Sequence, residues 1–270
     1  MGGLNRHLAP ISDTAWRRIE SEARDMLTMR LAARRLVDFE GPFGWLHSGL
    51  DLGRAESLEC EVDSRATIRR RVVRPLIELR VPFTLERQAI ERADRGASRI
   101  DLDPLREAAR VFAAAEDDAI FEGYADADIP GLITDSTNEG VAISGEGTRL
   151  ADAVAEALEQ LRRAGVSGPY VVALGPEAHK ALARASGAGG YPMARHVRGL
   201  VDRDVIWAAT LRGGVVASLR GGDFRMVCGR DAAIGYVGHD DDHIRLYLEE
   251  SFTAELTGPE AAVPLLPPDV

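Results

Sequence analysis

The sequence predicts an α+β chain, and three stretches carry that reading. Residues 101–132, DLDPLREAARVFAAAEDDAIFEGYADADIPGL, space apolar or small side chains as a long helix does: Leu105, Ala108, Phe112, Ala115, Ala119 and Ile120. Residues 244–256 alternate with period two instead. Ile244, Leu246, Leu248, Phe252, Ala254 and Leu256 take one face, and Arg245, Tyr247, Glu249, Ser251, Thr253 and Glu255 the other. Only Glu250 breaks the pattern, so the expectation is a strand with one buried and one wet face. Between them, residues 131–222 mix helical segments with strands at 170–174, 205–208 and 215–219, a small α/β unit.

Each element has a local cause. Ser12 or Asp13 caps a first helix with Trp16, Ile19, Ala23, Met26 and Leu27 on one side, ending near Ala33. Residues 34–39 read as extended, up to the break at Gly41-Pro42. Two β segments are expected at 59–64 and 70–81; Pro75 cannot donate to a ladder and argues for an edge or a bulge. A long two-stranded arm is marginal alone in water, so it needs another surface. Thr84 opens a short helix that stops at Gly96. In the long helix that follows, Asp103 is the expected cap, Pro104 sits in the first turn and Gly123 closes the end. Glu116, Asp117 and Asp118 stand late in that helix, where the dipole disfavours negative charge. They need partners: solvent, or arginines on a neighbouring segment or subunit. Further helices begin near Thr148, at Pro176 after Gly175, and at Pro192, and the tail PLLPPDV reads as a terminal strand and a fraying end.

Composition narrows the class. Among 270 residues no apolar run reaches membrane-spanning length, and the opening MGGLNRHLAPISD lacks the apolar core of a signal peptide. The two cysteines, Cys60 and Cys228, are far apart and lack metal-ligand spacing, which suggests a reducing, cytoplasmic setting. A net charge of −10 argues against general nucleic-acid binding. Yet Arg65, Arg69, Arg70, Arg71, Arg74 and Arg80 crowd one window without interleaved aromatics, a pattern that suits a protein partner better than a nucleic acid.

Motifs for chemistry are sparse. The HDDDH run, His239 to His243, holds possible metal ligands, but aspartates between two strands are ordinary turn material. Gly175-Pro176 lacks a GxGxxG or Walker pattern, and the loop from Ser186 to Gly190 lacks a following Lys-Ser/Thr. No serine sits in a GxSxG elbow. No catalytic residue and no cofactor is proposed; a binding or structural role is favoured.

Taken together, LNRHLAPISDTAW, RRLVDFEGPFGW, IELRVPFTLER, AEDDAIFEGY with IPGL, GVSGPYVVAL, RGGDFRMVCGRDAAIGYVGHD and RLYLEESFTAEL resemble the encapsulin shell proteins, of tailed-phage major-capsid fold. The resemblance covers nearly the whole chain in the family's order. It implies a peripheral domain (1–43, 83–130 with the spine helix, and the strands of 223–256), an extended loop (44–82), an axial domain (131–222) and a tail (257–270) returning to it. It implies an icosahedral homo-oligomer, of sixty copies in its smallest form, that encloses a cargo enzyme bearing a C-terminal targeting peptide. Typical cargoes are dye-decolourising peroxidases and ferritin-like proteins.

The resemblance also implies sites. A cargo-peptide groove falls on Arg34, Leu36, Asp38, Asp231, Ile234 and Tyr236, with a place in the core as the lesser alternative for Leu36 and Ile234. A five-fold pore loop falls on Ser186, Gly187, Ala188, Gly189, Gly190 and Tyr191. Intersubunit arm contacts fall on Arg69, Arg70, Arg71, Arg74 and Arg80. Some relatives stack an aromatic cofactor on a tryptophan after the FTL motif; Glu86, Arg87 and Gln88 stand there, so no flavin is expected. The competing readings are a prophage capsid protein that packages DNA, against which the net charge argues, and a bacteriocin- or protease-like enzyme, for which no oriented nucleophile is seen.

Overall fold

The computed structural model describes residues 3–59, 65–143, 147–187 and 190–267. Its strands are β1 (Asp38–Glu40), β2 (Gly49–Leu58), β3 (Ile68–Pro75), β4 (Ile77–Glu86), β5 (Val141–Ala142), β6 (Tyr170–Leu174), β7 (Ile206–Trp207), β8 (Gly214–Ser218), β9 (Phe224–Cys228), β10 (Ala233–His239), β11 (His243–Leu256) and β12 (Ala262–Leu266). Its α-helices are α1 (Asp13–Arg30), α2 (Arg87–Asp94), α3 (Asp103–Phe121), α4 (Gly147–Arg163), α5 (Pro176–Arg184) and α6 (Met193–Leu200).

β11 organises the first of two five-stranded sheets. One edge pairs with β4 from Glu86 to Ile77. The other pairs with β10 along 244–249 and then with β9 along 252–256, so β9 and β10 follow one another down that edge. β1 adds parallel to β9. Helices α1 and α3 cover this sheet, burying Trp16, Ile19 and Leu27 together with Leu105, Phe112, Phe83, Leu85, Ile244 and Leu246 in one core. Gly235 is needed opposite Tyr247 in the β10–β11 ladder, because a Cβ there would lie 2.0 Å from the Tyr247 ring.

The second sheet runs β5-β12-β8-β6-β7. β6 and β8 are buried along their whole length, and α4 packs Val154, Leu158 and Leu161 into the same core. The C-terminal strand β12 lies between β5 and β8. This core continues into the first unit through Leu36, Phe121 and Phe252, so the two halves share apolar packing. The hairpin of β2 and β3 stands apart as a two-stranded sheet.

Several local expectations change. The 34–39 stretch is not extended throughout: Ala33–Arg35 form a 3₁₀ turn and only Asp38–Glu40 are strand. The turn is held because the Asp117 carboxylate accepts from the backbone N–H groups of Ala32 and Ala33, at 3.1 and 2.8 Å. The arm's first strand lies at Gly49–Leu58, before the predicted 59–64 segment, of which 60–64 are outside the described residues. Thr84 continues β4 opposite Arg245, and the short helix starts at Arg87. Asp101, not Asp103, accepts at the start of α3, from the Asp103 N–H at 2.9 Å. At its other end Gly123 adopts φ 82°, and a Cβ there would sit 2.7 Å from the Gly131 nitrogen.

The wet face of β11 is the largest correction. Tyr247, Glu249, Ser251 and Thr253 are buried along with the apolar set. The Arg80 side chain lies over the Tyr247 ring at 4.2 Å and binds Glu249, which also accepts from Arg230 at 2.8 Å. Arginine stems and paired charges replace solvent on that face.

A groove beside a buried arginine

α1 leaves a groove of about 580 Å³ along its flank, closed on the far side by the start of β10. Its apolar lining comes from Ala23, Leu27 and Leu31 on the helix side and from Ala233, Ile234 and Leu248 on the sheet. The helical spacing of the first three follows from residues four apart sharing a face. Arg6, Glu20, Arg24, Arg34, Arg35 and Asp231 supply its charge. An extended peptide with alternating apolar and polar groups fits such a lining.

Three of the six residues expected at a peptide site meet here: Arg34, Asp231 and Ile234. The others do not. Leu36 is 2 % exposed and belongs to the core shared by both sheets. Asp38 lines a separate recess of about 40 Å³ and accepts from the Gly222 N–H. Tyr236 is buried beside the groove, its hydroxyl hydrogen-bonded to His239 Nδ1. The sequence reading missed Arg24, Leu27, Leu31, Arg35 and Ala233. The i, i+4 row Ala23, Leu27, Leu31 was the available signal.

Arg34 is not a free cation. Its Nε and Nη2 bind both oxygens of Glu116 at 2.7 Å, Nη1 binds Asp231 at 2.7 Å, and Nη2 also binds Glu250 at 2.7 Å. Its Cζ lies 4.8 Å from the centre of the Phe39 ring. Burial alone would lower the guanidinium's pKa, but Glu116, Glu250 and Asp231 outweigh it and the pKa rises. Glu116, of the acidic cluster on α3, thus finds its arginine within the same chain. Asp117, also buried, has its carboxyl pushed up to about 7 by burial, against the opposing pull of the Ala33 and Ala32 N–H groups.

The remaining expected sites separate cleanly. In the 186–191 loop, Gly187 N–H donates to Tyr191 O at 2.8 Å and Gly190 N–H to Gly187 O at 3.1 Å. Ala188 and Gly189 lie outside the described residues. Arg69, Arg70 and Arg71 are exposed on β3, with Arg70 paired to Glu56 and Arg71 to Asp51 across the hairpin. Arg74 instead donates to the Ala254 carbonyl at 2.5 Å, and Arg80 belongs to β4 and Glu249. In the HDDDH run Asp240 accepts from the Asp242 and His243 N–H groups, an Asx-type turn. Among the described residues no His, Cys, Asp and Glu group of metal-ligand arrangement occurs.

Comparison with known proteins resolves what this architecture is. A family model described as "Encapsulating protein for peroxidase" matches residues 1–253. A type 1 encapsulin shell protein from Rhodospirillum rubrum is 47% identical over 270 residues, covering 98% of this chain and 96% of its own. The chain belongs to the encapsulin shell-protein family. A type 1 encapsulin shell protein from Mycobacterium tuberculosis is 39% identical over 98% of this chain and 99% of its own. The virus-like particle of Pyrococcus furiosus has the same fold at a TM-score of 0.64 and 13% identity, covering 93% of this chain and 98% of that one. Gordonia phage Cozz matches at a TM-score of 0.58 and 11% identity, over 89% and 87%. The encapsulin is therefore an α+β protein of phage-capsid fold and a shell-forming homo-oligomer, not an enzyme. No described helix is long and apolar enough to cross a membrane.

Proposed function

We propose that the α1–β10 groove of this encapsulin holds an extended peptide from an enclosed cargo protein. The supporting observation is the groove itself: about 580 Å³, with Leu27, Leu31, Ala233 and Ile234 for apolar side chains and Arg24, Arg35 and Asp231 for polar ones. The cargo is a peroxidase or a ferritin-like protein that carries this peptide at its C-terminus. The description "Encapsulating protein for peroxidase" favours the first.

In this reading the first sheet with α1 and α3 is the peripheral domain and the second sheet is the axial domain. The β2–β3 hairpin reaches a neighbouring subunit in a shell of sixty copies assembled in the cytoplasm. The 186–191 loop borders a pore for small solutes, and the cofactor-free subunit leaves the chemistry to its cargo.

Particles purified from the native host should contain one dominant second protein. Ala233→Trp should empty them without preventing assembly, by filling the groove. Particles that keep their cargo in that variant would overturn the groove assignment. Particles filled with DNA would favour the phage-capsid reading, against which the net charge of −10 argues.

A further inference from the structure

Glu116 from α3 and Glu250 from β11 converge on one guanidinium. Both carboxyls are fully buried, and each places an oxygen 2.7 Å from an Arg34 nitrogen. Asp231, on the turn after β9, takes another Arg34 nitrogen at 2.7 Å but stays 44% exposed at the groove. One cation thus faces three carboxylates. Asp117 on α3 adds a fourth acid nearby, and Cys228 at the end of β9 faces the same group.

The two glutamates meet on a single atom, since an oxygen of each lies 2.7 Å from the same Arg34 Nη2. Glu250 Oε1 is buried and has no donor among the described residues. Two carboxylates in contact have only acceptors to offer, whereas a carboxylic acid donates to a carboxylate. A buried acceptor without a donor is costly, and so is a second buried negative charge on a single cation.

We propose that Glu116 and Glu250 hold one proton between them at neutral pH, clasped by Arg34, and that losing it loosens the junction they close. With the proton in place, the orphaned oxygen gains a bond and the buried group of Arg34 and two glutamates carries no net charge. The junction ties together the segment after α1, helix α3, the β9–β10 turn and β11. It needs no assumption about what occupies the groove.

Burial raises the Glu250 carboxyl well above its ordinary range, reinforced by Glu116 and opposed by Arg34. The folded chain therefore holds this proton more tightly than the unfolded one. The stabilisation is complete below the ordinary glutamate range and is lost as pH rises through the folded value. The weakness lies on the alkaline side.

Glu250→Gln tests this, because it replaces the shared proton with a permanent N–H donor and keeps an oxygen for Arg34. Thermal unfolding of assembled shells would be followed from neutral to alkaline pH. The wild-type midpoint should fall across that range, while E250Q keeps the neutral-pH midpoint and loses most of the fall. Infrared difference spectra of the wild type should show a carboxylic acid band that survives the titration of Asp117 and disappears at higher pH. Absence of that band would overturn the proposal whether or not the variants assemble. So would E250Q shells that melt well below wild type at neutral pH, or that keep the full alkaline fall.

Discussion

Glu250, the one charged residue in the apolar register of β11, lies 2.7 Å from the Arg34 guanidinium, 216 positions away in sequence. The contact explains the broken alternation, and the same guanidinium takes both oxygens of Glu116 from the acidic cluster late in α3. Removing the cation tests it. Arg34→Ala leaves Glu116 and Glu250 buried without a counter-ion, and breaking such a pair costs about 3–5 kcal/mol. Arg34→Lys should recover only part of this, since one ammonium cannot span Glu116, Asp231 and Glu250 as the planar fork does. Denaturant unfolding followed by tryptophan fluorescence, with particle yield alongside, would show both effects.

Leu36 and the groove-facing residues should part company under mutation. Leu36→Ala removes a side chain that is 2 % exposed in a shared core, which costs about 2–5 kcal/mol and should not weaken cargo binding in shells that still assemble. Arg35→Glu changes an exposed charge at the groove and should alter cargo loading while unfolding shifts little. The measurement is cargo-to-shell stoichiometry beside the unfolding midpoint. A Leu36→Ala shell with normal stability and lost cargo would reverse the two roles.

How much of this was legible follows the range of the forces involved. Local patterns placed α1, α3, α4 and the strand Tyr170–Leu174, because capping residues and periodic apolar faces act within a few residues. The 34–39 turn was missed because its cause, Asp117, lies 84 and 85 residues away from the N–H groups it accepts from. The far face of β11 looked wet because Glu249, Ser251 and Thr253 are polar, yet Arg80 and Arg230 cover it from distant strands. At the groove, family resemblance pointed to Arg34, Asp231 and Ile234, but only coordinates show Leu36 turned into the core.

Asp117 offers a second pH signature. Its carboxyl is raised from 3.8 to about 7, so the proton favours the folded chain. That contribution is full below the ordinary aspartate range and fades as pH climbs through about 7. Asp117→Asn should flatten this part of the stability profile. At neutral pH it should cost about 1–3 kcal/mol, because its amide turns a donor toward the Ala32 or Ala33 N–H. Midpoints measured from acid to neutral pH would separate the two effects.

Cys228 should resist alkylation in the native shell. It is fully buried, and burial, aided by Asp231 and Glu250, pushes its thiol up to about 12. Thiolate is the reactive form, so little is available at neutral pH. In a Cys60→Ser background, iodoacetamide should label native particles far more slowly than denatured chains. Equal rates would mean that the junction around Arg34 opens freely.

The β2–β3 hairpin should matter to assembly through its tip-ward arginines rather than through all five. Arg74 and Arg80 are held within their own chain, by the Ala254 carbonyl and by Glu249. Arg69, Arg70 and Arg71 are exposed on a strand whose apolar neighbours Ile68 and Val73 are also in solvent, 47% and 56% exposed. An isolated ribbon with that surface is poorly stable in water and gains by lying on a second subunit. Reversing the charge at all three positions should therefore yield subunits with ordinary circular dichroism that fail to form particles by light scattering. Arg80→Ala should do the opposite. It leaves the Glu249 carboxylate short of one partner inside the first sheet, so the subunit loses stability while the arm's outer surface is unchanged.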